Sequence, residues 1–155
     1  KSYNYLCSNI LLRHLSYKVS TYNVALSDKE GMTKYYIRDP LDGGGNGISA
    51  FENDKTIPTI DVPMRTWDSF NLTNINFIKI DVEGHEEFVL RGAVKTLETN
   101  NYPKILFESW SERQEQNNIP SIQIRKSLFE FLESLGYKII QIQGGTDDMF
   151  LAEKN

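Results

Sequence analysis

The sequence of 155 residues predicts a single α/β domain, residues 1–155, with a mostly parallel sheet and one antiparallel strand. Short apolar runs alternate with helical patterns in the second half, an order that is typical of βαβ units. The apolar run 77–82 ends in an acidic turn that contains Gly84, and a helical pattern follows at once. Two final strand patterns are joined by a short segment with Gly144 and Gly145, so the last strand must run antiparallel.

Before the acidic turn, the sequence predicts one helix and three strands. Apolar residues at spacings of three and four predict an amphipathic helix over residues 3–15. Residues 19–26 and 33–38 predict strands, of which the second is antiparallel or at an edge. Residues 56–64 alternate around two prolines, so we expect an edge strand here and not a central one.

Two connecting segments carry local signals. Residues 39–47 are rich in glycine and predict a flexible loop. A phosphate cradle would need a buried strand before this loop and a helix N-terminus after it, so a mobile lid or a linker is favoured. Residues 66–70 predict a single helical turn that is capped by Thr66.

The elements from the acidic turn onward follow the expected βαβ order. They are a central strand at 77–82, a helix from Glu86 through Leu97, a strand at 103–108, a helix between Pro120 and Gly136, and strands at 137–142 and 149–152. Glu86 and Glu87 begin the first of these helices and Arg91 follows later, which is the charge order that a helix dipole favours.

Composition argues against several classes of partner. The chain has 17 basic and 21 acidic residues and a net charge of −4, so it is a poor candidate for binding nucleic acid through phosphates. No apolar run approaches the roughly 20 residues that span a membrane, and we expect no membrane partner. Cys7 is the only cysteine, which favours a reducing, cytoplasmic setting. The chain lacks an initiating Met and opens in mid-helix, so we expect a fragment of a longer protein.

Four polar residues form the candidate site. Asp81 and Glu108 end two consecutive parallel strands, which lie about 4.8 Å apart, and ligands bind beyond such strand ends. Glu83 and His85 lie one and two alternations beyond Asp81, so the group is suited to bind a cation or to remove a proton. Two structural alternatives remain open: His85 could cap the following helix, and Lys79 could form an ion pair with Asp81 or Glu108.

Other enzyme classes are less well supported. His14, His85 and Cys7 do not make a zinc set, and we predict no metal site. A serine hydrolase would need a Gly-x-Ser-x-Gly turn, which is missing from the sequence. A hydrolase that uses a pair of carboxylates is conceivable but does not usually have a parallel sheet of this size.

Several segments resemble the FkbM-type methyltransferase family. The closest motifs are FIKIDVEGHE at 77–86, VLRGA at 89–93 and PKILFE at 103–108, and the segments 23–31 and 60–69 are similar to those that precede them in the family. The resemblance implies a Rossmann-like, S-adenosylmethionine-dependent methyltransferase that acts on hydroxyl groups of a small-molecule or glycan acceptor, such as a sugar or a secondary metabolite.

The same resemblance assigns roles to the residues of the candidate site. Asp81 would lie between the cofactor and the acceptor, with Glu83, His85 and Glu108 around the acceptor. The protein would mainly position the two reactants. His85 or Asp81 would be the base that removes the hydroxyl proton.

On the cofactor side, the resemblance places the turn Ala25, Leu26 and Ser27 against the adenine. Family members also carry two earlier strands that this sequence lacks, one with an Asp-x-Gly-x-x-x-Gly turn and one that ends in an acid. We therefore expect a gap in the sheet between the strands 19–26 and 77–82, and poor binding of S-adenosylmethionine by this chain alone. The alternative is a non-catalytic α/β binding or interaction module that kept the fold.

Overall fold

The computed structural model describes residues 2–38, 45–48, 55–110, 120–143 and 148–154. The elements in chain order are α1 (Ser2–Leu12), β1 (Ala25–Leu26), β2 (Gly31–Tyr36), β3 (Thr59–Arg65), a 3₁₀ turn (Asp68–Phe70), β4 (Phe77–Ile80), α2 (Glu86–Arg91), α3 (Val94–Thr99), β5 (Lys104–Glu108), α4 (Ser121–Ser134), β6 (Lys138–Gln141) and β7 (Met149–Glu153). Within these ranges, no helix has the length and apolar character needed to cross a membrane.

The strands form two mixed sheets rather than one mostly parallel sheet. The first sheet has the order β1-β3-β2 and the second has the order β4-β5-β7-β6. The pairs β1–β3 and β4–β5 are parallel, whereas the other pairs are antiparallel. The α/β class and the reversed last strand are confirmed, but a parallel majority is not.

The predicted edge position of residues 56–64 is wrong, because β3 is the middle strand of the first sheet. Among the described strands, β1 pairs with β3 only at Met64 and Arg65. Pro63 lies just before these two residues, so its missing N–H costs no ladder bond to β1. The same short pairing explains why the strand predicted over 19–26 is reduced to its last two residues.

The helix predicted from Glu86 through Leu97 is interrupted, and the prediction of one continuous helix is wrong. α2 ends at Arg91 and α3 begins at Val94. Gly92 lies between them, at a point where the carbonyl oxygen of Ser27 would be only 2.0 Å from an added Cβ. Glycine, a poor helix former, is required here by the close approach of the first sheet.

The predicted N-terminal helix is present as α1, but none of its residues is buried. Tyr5, Leu6, Leu11 and Leu12 are all exposed large apolar side chains of this helix. The amphipathic pattern therefore does not correspond to a covered face within the described chain.

The hydrophobic core lies between the second sheet and the helices α2, α3 and α4. Its buried members are Ile78, Ile80, Val89, Leu90, Ala93, Leu97, Ile105, Phe107, Leu128, Leu132, Tyr137, Phe150 and Ala152. The helix predicted between Pro120 and Gly136 is confirmed, and Gly136 follows it with a positive φ of 86°. Leu26 of β1 and Trp67, just before the 3₁₀ turn, also pack against this core.

The two sheets meet through a few contacts of Ser27, Asp68, His85 and Gly92, which we call the seam. The carboxylate of Asp68 accepts hydrogen bonds from the backbone N–H groups of Lys95 and Thr96 in the first turn of α3, and its own N–H donates to the carbonyl of Gly92. Among the described residues β1 and β4 do not pair with each other.

Candidate functional site

A cavity of about 450 Å³ lies at the seam, beyond the carboxyl ends of β1 and β4. This volume is within the range that holds small ligands. Its lining consists of Val24, Ala25, Leu26, Tyr35, Asn46, Gly47, Ile48, Asp81, Val82, Glu83 and His85. The structure therefore brings five of the seven predicted site residues to one cavity, and it places Ser27 and Glu108 outside the lining.

The turn after β4 has a conformation that few sequences adopt. Glu83 has a φ of 56° and Gly84 a φ of 90°, both in the left-handed region. The ring of Trp110 packs against Gly84 so closely that an added Cβ would lie 2.7 Å from it. A non-glycine residue in this region costs free energy, which is typical of positions held for function. The turn aims the Glu83 side chain into the cavity.

The side chain of Glu86 stabilises this turn through hydrogen bonds, a role that was not predicted from the sequence. One carboxylate oxygen accepts hydrogen bonds from the N–H groups of Val82 and Gly84, at 3.2 Å each. The side chain is buried, and burial raises its pKa, although bonds from backbone amides oppose the rise. The sequence signal for this role was a glutamate in the first turn of the predicted helix, directly after the turn that contains Gly84.

His85 is the buried imidazole of the site, with 7% of its surface exposed. Its Nε2 atom lies 3.0 Å from the hydroxyl of Ser27, and its ring stacks on Phe88 with centroids 4.6 Å apart. Burial lowers the pKa of His85 below its usual 6.5, whereas Asp28 raises it and Lys29 lowers it further. The ring is therefore neutral at pH 7 and able to accept a proton.

The alternative role of His85 as a helix cap holds for its position but not for its side chain, because His85 is the N-cap residue of α2. α2 begins directly after His85, but no hydrogen bond from the imidazole caps it. Only the backbone carbonyl of His85 takes part in the helix, by accepting from the N–H of Val89.

Asp81 forms the ion pair that was one of the structural alternatives. Its carboxylate lies 2.5 Å from Nζ of Lys79, and both side chains are about half exposed. Glu108 is level with Asp81, because Ile80 and Phe107 pair across the parallel strands β4 and β5. Burial raises the pKa of Glu108, and the carboxylates of Asp81 and Glu83 raise it further. Glu108 thus lies beside the cavity rather than in its wall.

The three residues that were predicted to lie against the adenine do not share one environment in the structure. Ala25 and Leu26 line the cavity, whereas Ser27 is buried behind it with 2% of its surface exposed. The hydroxyl of Ser27 donates to the carboxylate of Asp28 at 3.1 Å and also contacts His85.

One wall of the cavity was not predicted from the sequence. Tyr35 of β2 lies there, and a bridge between Tyr36 and Gly47 folds residues 45–48 toward Glu83. Burial raises the pKa of the Tyr35 phenol, and Glu83 raises it while Arg38 lowers it. No pattern of nearby residues predicts this wall, because its residues are brought together by pairing between segments that are distant in sequence. Residues 39–44 of the predicted loop lie outside the described residues.

Over the ranges that the structure covers, no cluster of three or more His, Cys, Asp or Glu residues is arranged to hold a metal ion.

Comparisons with known proteins point in one direction. A sequence profile described as the methyltransferase FkbM domain matches residues 1–139. The crystal structure of methyltransferase FkbM from Methylobacillus flagellatus KT is similar, with a TM-score of 0.54 and 15% identity. The match covers 94% of this chain and 32% of that one, so this chain spans about a third of its length, and the likeness concerns the fold. No curated protein matches the chain significantly.

Proposed function

Since this chain belongs to the FkbM methyltransferase family, we propose that its cavity serves the S-adenosylmethionine-dependent methylation of a hydroxyl group. The proposed acceptor is a sugar or a secondary metabolite, and the surrounding fold is proposed to be Rossmann-like. One observation supports the proposal most directly: a neutral, buried imidazole and two carboxylates, those of Asp81 and Glu83, line the same cavity.

The lining residues fit part of S-adenosylmethionine. The carboxylates of Asp81 and Glu83 can attract a sulfonium ion, and Val24, Leu26 and Ile48 provide an apolar surface for an adenine. The described lining residues include neither lysine nor arginine, and the His85 ring is neutral at pH 7, so the methionine carboxylate lacks a cationic partner there. We therefore expect weak binding by this chain, with Asp81 and Glu83 on the sulfonium side.

When bound, S-adenosylmethionine supplies a methyl group on a positively charged sulfur. The chain's own residues have to orient the acceptor hydroxyl and take its proton. His85 is better placed for the proton than Asp81, because the carboxylate of Asp81 is already paired with Lys79. We assign the base role to His85 and the attraction of the sulfonium to Asp81 and Glu83.

Isothermal titration calorimetry with S-adenosylmethionine tests this proposal. We expect binding heat for the wild type and about fivefold weaker binding for Asp81→Asn, the effect of one exposed charge interaction of about 1 kcal/mol. Asp61→Asn is the matched control, since Asp61 also pairs with an exposed lysine, Lys34, but lies outside the cavity. Absence of heat for the wild type would overturn the proposal, and equal weakening in both variants would remove Asp81 from the site.

A non-catalytic interaction module is the second candidate, and one observation favours it. An apolar hollow of about 280 Å³ is lined by Tyr22, Val24, Leu26, Trp67, Phe70 and Leu72. Under this alternative the chain would bind other molecules through apolar surface, and S-adenosylmethionine would produce no heat in the titration.

A further inference from the structure

We infer that Ser27 and Asp28 form a positioning pair that keeps the hydrogen of His85 on Nε2 and leaves Nδ1 to receive the acceptor proton. The tautomer is a property of the free protein. Only the last step, proton uptake from an acceptor, rests on the proposed function.

The tautomer follows from the count of hydrogens at Ser27. A serine hydroxyl has a single hydrogen to donate. In the structure the Ser27 hydroxyl donates to Oδ1 of Asp28 at 3.1 Å. Toward Nε2 of His85, 3.0 Å away, the same oxygen can therefore only accept. Nε2 must carry the hydrogen of the neutral ring, and the lone pair lies on Nδ1.

The backbone around Ser27 fixes this geometry. The N–H of Ser27 donates to the carbonyl of Arg65 at 3.0 Å, and its own carbonyl lies against Gly92. The ring of His85 is held on its other side by stacking on Phe88. These contacts hold the backbone of Ser27 and the ring of His85 next to each other.

Nδ1 of His85 has no hydrogen-bond partner among the described residues. Within the part of the chain that the structure describes, Ser27 is the one hydrogen-bond partner of the His85 ring, and His85 lines the cavity. An acceptor hydroxyl can therefore meet only the lone pair of Nδ1, since Nε2 is a donor that is already used.

Proton uptake at Nδ1 requires no rearrangement. The proton of an acceptor hydroxyl would pass to Nδ1, and the electron pair left on oxygen would bond to the methyl carbon while the carbon–sulfur bond of a bound donor breaks toward sulfur. The charged ring still donates from Nε2 to Ser27, and the carboxylate of Asp28 stabilises the charge through that hydroxyl. Asp28 and Lys29 from the loop after β1 act on the charge of His85, Asp81 and Glu83 line the same cavity, and Glu86 follows it in the chain.

Long-range ¹H–¹⁵N correlation spectra of the histidine rings test the tautomer without any ligand. The chain has two histidines, and the exposed His14 is an internal reference for a ring in water. We expect His85 of the wild type to show only the form with hydrogen on Nε2, whereas His14 shows the averaged signals of both forms. Hydrogen on Nδ1 of His85, or signals that match those of His14, would overturn the inference.

Three variants separate positioning from a general structural role. Ser27→Ala should shift the His85 signals to the averaged pattern of His14, and Ser27→Thr should restore the wild-type pattern, because it keeps a hydroxyl. Asp28→Asn, at an exposed position, tests the pair where Ser27→Ala fails to fold. Its amide can donate to Ser27 and free the hydroxyl hydrogen for His85, so we expect the form with hydrogen on Nδ1 to increase. An unchanged His85 pattern in Ser27→Ala and Asp28→Asn would contradict the positioning pair.

The two proposals fail in different experiments. Absence of binding heat with S-adenosylmethionine overturns the proposed function and does not affect the tautomer of the free protein. The wrong tautomer overturns the positioning pair even where the cofactor binds.

Discussion

The two sheets differ sharply in how well they are packed. The second sheet, the helices α2, α3 and α4 and the segments that join them contain every buried member of the main core cluster, among them the fully buried Phe107 and Leu128. In the first sheet only Met64 is a buried apolar residue, and α1 contributes none. The free energy that stabilises the fold is therefore concentrated in the second region.

This contrast matters because the cavity spans both regions. The acidic turn with Asp81, Glu83 and His85 belongs to the well-packed second region, whereas Ala25, Leu26 and Tyr35 belong to the first. Regions with few buried contacts open locally at low free energy. The geometry of the site thus depends on the seam, which holds the weaker region against the stronger one.

Paired substitutions of leucine should show the contrast at its largest. Leu128 is fully buried, and Leu12 is 75% exposed on α1. Leu128→Ala should lower the free energy of unfolding by about 2–5 kcal/mol because it leaves a cavity. Leu12→Ala should change it by less than about 0.5 kcal/mol. Urea denaturation measures both, and losses of similar size would contradict the difference between the two regions.

Gly92→Ala should open the seam. An added methyl group would lie 2.0 Å from the carbonyl oxygen of Ser27, so the backbone of one region must move. We expect a loss of about 1–3 kcal/mol or more in the free energy of unfolding. Gly47→Ala is the control, because its nearest neighbour, Cβ of Glu83, lies at an ordinary 3.7 Å. Equal stability of the two variants in thermal denaturation would contradict the close approach at Gly92.

Asp68→Ala should weaken the seam by a smaller amount. The variant removes the carboxylate that accepts from the N–H groups of Lys95 and Thr96 at the start of α3. The loss of a helix cap costs about 1 kcal/mol. Asp61→Ala removes an exposed carboxylate of the first sheet and should have little effect. A similar loss in both variants would show that Asp68 does not cap α3.

The pH dependence of stability should reveal the buried His85. Burial lowers its pKa in the folded state below 6.5, so the unfolded chain binds more protons just below that pH. The free energy of unfolding should therefore fall as the pH decreases below about 6.5. His85→Gln should remove this part of the fall, and His14→Gln, at an exposed site, should not. The pKa of Glu86 is raised in the folded state, so this residue makes the free energy of unfolding fall as the pH increases above 4.5. Its contribution is the same in the wild type and in both variants and does not affect the comparison.

Much of the second region could be predicted from the sequence, because its signals are local. The strand patterns, the helix between Pro120 and Gly136 and the acidic turn after β4 all appear in the structure. The break of the helix at Gly92 could not be predicted, since it results from the approach of Ser27, which is distant in sequence.

The first region was harder to predict because its strands depend on their partners. β3 became a middle strand only because β1 pairs with its last two residues. Tyr35 reached the cavity through the antiparallel pairing of β2 with β3; the sequence predicted an antiparallel or edge strand here but not its partner. Asp81, Glu83 and His85 were found because they lie directly at the end of a strand.

Hydrogen exchange of backbone amides, with and without S-adenosylmethionine, tests most directly whether the cavity at the seam holds the methyl donor. In the free protein we expect faster exchange in the first sheet than in β5 and α4. Addition of S-adenosylmethionine should slow exchange on both sides of the seam together, at Leu26 and Ser27 and at residues 82–90, because a ligand stabilises the state that binds it. Uniform exchange in the free protein, or protection away from these segments, would contradict the proposal.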